Sequence, residues 1–191
     1  MYAGPEGRSH WEAREDASRE VLVALYLRDA LGIVDPSGLP RMLATGLPVL
    51  DAAEPETVYG WMRWWIPLIE PDAQGWPWPD DDPSSNRFIS LVRRHLDSAR
   101  AWATVAHEQH NGSALARLLR GDDFVLPELV REQEVALGRT SRPFRLRIEV
   151  LPLATSGIWW IGDDAIAVDE TTRDEPILYR DALEPVVVAL V

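Results

Sequence analysis

Neither cysteine nor lysine occurs anywhere in this chain. The missing thiol excludes disulfides, thiolate zinc sites, iron–sulfur ligation and a cysteine nucleophile. The missing ammonium excludes Schiff-base chemistry, a P-loop lysine and a lysine general base, and with them pyridoxal-phosphate enzymes and Walker-type NTPases. All 19 basic residues are arginine, a bias that G/C-rich codons produce without any chemical demand. Long apolar runs are missing as well. The longest, Val21 to Leu27 and Val186 to Val191, fall far short of the roughly 20 residues that span a bilayer. The stretch from Met1 to Asp16 carries Glu6, Glu12, Glu15 and Asp16 and no apolar run, unlike a secretory signal with its basic start and apolar centre. A cytoplasmic protein with no membrane span is the expectation.

What is present is a chain of 191 residues, 46% hydrophobic, with nine tryptophans and a net charge of −12. A chain of this mass buries roughly 70% of its unfolded surface, enough for one core without metal or crosslinks. One globular domain over residues 1–191 is therefore expected. The acid excess repels phosphate backbones and argues against nucleic-acid binding. The charge is unevenly spread: residues 83–147 hold eleven arginines against seven acids, and residues 148–191 hold two against nine. The basic middle is expected to face the acidic end.

The pattern along the chain predicts an α+β fold: a helical part over 11–138, a small antiparallel β-meander over 143–169 and a C-terminal helix over 175–191. Residues 11–31 read as one helix stopped by Gly32, apolar all round at Val21 to Leu27 and so placed centrally. Glu54, Pro55 and Glu56 open a second, with Val58, Trp61, Met62, Trp65 and Ile69 on one side and Pro67 bending or ending it. Residues 71–83, with four prolines, must be a loop. A third helix runs from Ser84 or Ser85 to about His110 and ends at Asn111 and Gly112. Ser113 then caps a short helix through Leu115, Leu118 and Leu119. Another begins at Asp122 or Asp123 and stops at Gly138. Phe144, Leu146, Ile148 and Val150 alternate with Arg145, Arg147, Glu149 and Leu151, the period of a strand with one buried and one wet face. Ile158 to Ile161 and Ala165 to Val168 flank a hairpin turn at Gly162, Asp163 and Asp164.

Few groupings offer chemistry. His107, Glu108 and His110 are the closest set of metal-ligand types, but the histidines stand three apart where the zincin motif needs four, and no later histidine completes a site. Histidines in the last turn of a helix are also favoured by its dipole without any metal. Arg145 and Arg147 share one face of a strand and suit a bidentate grip on an anion, or else pair with acids such as Glu149, Asp163 and Asp164 nearby. Trp76 and Trp78, in the acidic loop, either dock on the core or present a flat apolar surface to a partner. No nucleophile elbow or glycine-rich dinucleotide loop is present, so no residue is assigned a catalytic role and no cofactor is implied.

These features point first to a non-enzymatic, acidic interaction or binding protein that meets a protein partner with a basic surface, through Trp76 and Trp78. Two alternatives come from other classes. One is a metal-assisted hydrolase using His107 and His110 as ligands and Glu108 as base. The other is a domain that binds a small anionic ligand through Arg145 and Arg147.

Overall fold

A computed structural model describes residues 2–3, 11–34, 38–43, 45–48, 52–70 and 86–191. Trp76 and Trp78, and the loop that carries them, lie outside the described residues. The α+β class holds: helices fill the N-terminal part, strands come mainly late, and a helix closes the chain.

The strands are β1 (Tyr2–Ala3), β2 (Glu12–Asp16), β3 (Arg145–Leu151), β4 (Ile158–Gly162) and β5 (Ala165–Asp169), in the sheet order β1-β2-β3-β5-β4. The expected antiparallel meander is not what forms. The hairpin of β4 on β5 is antiparallel as predicted, but β5 continues parallel to β3, and β3 parallel to β2. Parallel neighbours need long crossovers, and these exist: a whole helical block separates β2 from β3, and β4 separates β3 from β5.

The helices are α1 (Arg19–Ala30), α2 (Pro55–Ile69), α3 (Asn86–Arg120), α4 (Val125–Leu137), α5 (Glu170–Asp174) and α6 (Pro176–Leu190), with a 3₁₀ turn at Asp122–Phe124. The single helix expected over residues 11–31 is split. Glu12–Asp16 pair as a strand with Arg145–Glu149, and the helix starts only at Arg19. Strand pairing with a distant partner overrides the local helix propensity of these residues. The part that is helical behaves as predicted, since every residue from Val21 to Ala30 is buried.

The break expected at Asn111 and Gly112 is absent, and α3 runs through both to Arg120. A glycine inside a helix costs about 1 kcal/mol relative to alanine, less than two new helix ends would. Pro67 sits within α2, which continues to Ile69. Gly138 ends α4 as expected, with a left-handed φ of 64°.

Helices cover both faces of the sheet. Ala13, Leu146, Ile148, Val150, Ile166 and Val168 pack with α4 and α6 residues such as Leu129, Val130, Leu183 and Val187. Leu151, Ala165 and Ala167 pack into the larger cluster formed by α1, α2 and α3. The predicted wet face of β3 is therefore wrong beyond Arg147, for Glu149 and Leu151 are fully buried. The tryptophans of α2 are core residues: Trp61 is enclosed, stacks on Trp65 with centroids 5.1 Å apart, and donates from Nε1 to the Ala24 carbonyl at 2.9 Å.

Candidate functional site

Strands β2, β3 and β5 run parallel and so end at the same edge of the sheet, the edge at which open sheets place their ligand sites. Each brings carboxylates there: Glu15 and Asp16 from β2, Glu149 from β3 and Asp169 from β5. Helix α3 passes beside this edge and adds His107, His110 and Arg117, while α5 adds Glu170, Arg173 and Asp174.

Glu15 is the centre of the group. Arg173 Nε donates to both of its oxygens, at 2.9 and 2.8 Å, and Arg117 Nη2 donates to Oε1 at 3.1 Å. Arg117 Nη1 reaches on to Asp174 at 2.7 Å. Both arginines are almost wholly buried, and the Arg173 guanidinium also lies 4.4 Å above the Tyr179 ring. Two buried cations need an anion beside them, because an uncompensated charge inside a protein costs several kcal/mol, and the largely enclosed Glu15 supplies it. Glu15 thus ties β2, α3 and α5 together, and its oxygens are occupied.

The other carboxylates are held too. Glu149 accepts from Arg147 Nε at 2.7 Å, Ser18 Oγ at 2.6 Å and Ser18 N at 2.9 Å. Asp169 caps α5, accepting from Thr171 N at 2.9 Å and Thr172 N at 3.2 Å, and accepts from Gly157 N at 2.8 Å. Glu170 alone in this group has no hydrogen bond or ion pair among the described residues. Burial, assisted by the nearby Asp174, raises its carboxyl above the ordinary value.

His107 Nδ1 donates to the Ala17 carbonyl at 2.8 Å, which ties α3 to the turn after β2. His110 is buried, and its Nδ1 has no partner among the described residues; the same is true of Arg117 Nε. Burial, then the charge of Arg117, lowers the His110 value, so its ring is neutral at physiological pH. The two shifted groups, His110 and Glu170, both feel Arg117. Shifts of this kind mark catalytic sites and structural ion networks alike. Here the network reading has the geometry, since Glu15, Glu149 and Asp169 are all engaged by fixed donors.

The sequence-predicted groups are only partly brought together. His107 and His110 face the cluster, but Glu108 on the same helix is exposed, and among the described residues no three His, Asp or Glu side chains converge as metal ligands. Arg147 is engaged by Glu149 on its own strand, and Arg145 stands exposed at the strand's start.

Sequence reasoning missed Glu15, Arg117, Glu170 and Arg173. The first and last are 158 residues apart in the chain, and no local pattern joins them. Arg117 was masked by its neighbours. Leu115, Leu118 and Leu119 suggest an apolar buried face, yet all three are exposed and Arg117 is the buried residue of that turn.

No protein-family model matches this chain, and no curated protein or solved structure matches it significantly.

Proposed function

We propose that this protein is a non-enzymatic, acidic interaction protein that docks a partner on the C-terminal half of α3. The observation that carries this reading is the apolar strip Leu115, Leu118 and Leu119, whose residues are 57%, 60% and 80% exposed. Residues three and four apart share one helix face, so the strip is continuous. Soluble chains seldom leave such leucines bare unless a partner covers them. The net charge of −12 over the whole chain draws a partner with a basic surface toward the protein at long range, and on α3, which carries more arginines than acids, the contact itself is supplied by the leucines. The engagement of Glu15, Glu149 and Asp169 supports the non-enzymatic part, because a carboxylate already held by donors is poorly placed to take a proton from a substrate.

The test is a pull-down from native lysate at low and at high salt, with the wild-type chain beside Leu118→Ser/Leu119→Ser. A partner held at low salt, weakened by high salt and lost in the double variant is the expected result. Leu118 and Leu119 are both exposed, and circular dichroism checks that the double variant folds as the wild type does. An empty wild-type pull-down at low salt, or equal capture by the variant, would overturn the reading.

A further inference from the structure

Away from the strand-end cluster, a groove of about 350 Å³ opens between Trp11, the turn Asp122–Phe124 and helix α4. Its volume lies in the range of about 300–1,000 Å³ typical of small-molecule sites. Trp11, Phe124, Pro127 and Val130 form apolar walls. The Trp11 ring is held in place by stacking on Phe144, with centroids 5.8 Å apart and planes within 7°. Phe124 is 62% exposed and is the wall that an occupant would cover.

The polar side of the groove is Glu128, Arg131 and Glu134. Glu134 is engaged, since its Oε1 accepts from Ser141 N at 2.8 Å. Glu128 and Arg131 are exposed and have no hydrogen bond or ion pair among the described residues. They stand three apart on one helix, hence on one side of it, and both line the groove. An unpaired anion and an unpaired cation beside an aromatic wall are complementary to a ligand that carries both charges at one end and an apolar body at the other.

We propose that this groove binds a free α-amino acid with an aromatic or large apolar side chain. Its ammonium faces Glu128, its carboxylate faces Arg131, and its side chain lies against Trp11 and Phe124. A ligand with one charge leaves either Glu128 or Arg131 unused, so the zwitterion is preferred over its amine-only and acid-only analogues. The groove shares no lining residue with the leucine strip on α3.

Calorimetric titration of the full chain with L-phenylalanine, phenethylamine and 3-phenylpropionate tests this. Phenylalanine should bind saturably and about tenfold more tightly than either analogue, a difference of about 1.4 kcal/mol. Glu128→Gln should bring phenylalanine down to the acid-only affinity, and Arg131→Gln should bring it down to the amine-only affinity. Phe124→Ala should weaken all three ligands. Glu128 and Arg131 are surface positions, so the variants should fold as the wild type does. No saturable heat with any ligand, an analogue that binds as well as phenylalanine, or binding unmoved by all three substitutions would each overturn the proposal.

Discussion

Arg117 and Glu15 are 102 residues apart in the chain and meet at 3.1 Å, and Arg173 donates to both oxygens of the same carboxylate. Glu15→Gln keeps the shape and removes the charge that compensates both guanidiniums. Loss of one partner from a buried ion pair costs about 3–5 kcal/mol. Urea denaturation should show a loss in that range, whereas Arg14→Ala, which breaks the exposed pair with Asp16, should cost less than about 1 kcal/mol. Equal shifts in the two midpoints would mean that the network contributes no more than a surface pair.

Acid should weaken the fold through His110. Burial and Arg117 hold its value below the ordinary 6.5, so the unfolded chain takes up the proton first and stability falls as the pH drops through 6.5 toward the folded value. Glu170 works the other way. Its carboxyl is raised above 4.5, so the folded state holds that proton more tightly and gains as the pH falls from the raised value toward 4.5. His110→Asn removes the first slope and leaves the second. Urea midpoints compared at about pH 7.5 and about pH 5.5 should show the wild type losing more than the variant. The reverse order would place the acid sensitivity elsewhere.

On β3, Ile148 is fully buried between helix layers. Ile148→Asp adds an unpaired carboxylate there and should cost several kcal/mol. Arg147→Ala is not the mild change that a wet strand face predicts, because Glu149 is fully buried and Arg147 Nε is one of its three donors. Its loss should cost about 1–3 kcal/mol, the penalty for an under-satisfied buried charged group. Thermal melts of the two variants check the ranking, and an effect of Arg147→Ala within error of zero would contradict it.

Gly60→Ala should destabilise, against the usual trend in helices. An added Cβ would lie 2.7 Å from Cγ and 2.9 Å from Cβ of Phe88, which is buried. These atoms are near the root of the side chain, so α2 and α3 must separate or Phe88 must leave its rotamer. Overpacking of this kind costs about 1–3 kcal/mol, more than the gain of roughly 1 kcal/mol in helix propensity. An unchanged or raised melting temperature would show that the contact relaxes freely.

What the residues determine by themselves is local. Periodic apolar spacing and Pro55 are enough for α2, Gly138 for the end of α4, alternation for β3, and Gly162 with its two aspartates for the hairpin of β4 and β5. The α+β class follows from those elements alone. Sequence-remote partners decided the rest. Glu12–Asp16 are a strand because β3 offers a ladder, and α3 runs through Gly112 although the local signal there is a stop. The parallel order of β2, β3 and β5 depends on crossovers that no turn motif announces. The candidate site is the extreme case. Arg117 is buried and Leu119 exposed because Glu15 and Asp174 wait on one side of α3 and nothing among the described residues covers the other. Hydrophobic periodicity cannot register a buried cation whose compensating anion is supplied by a strand 102 residues away.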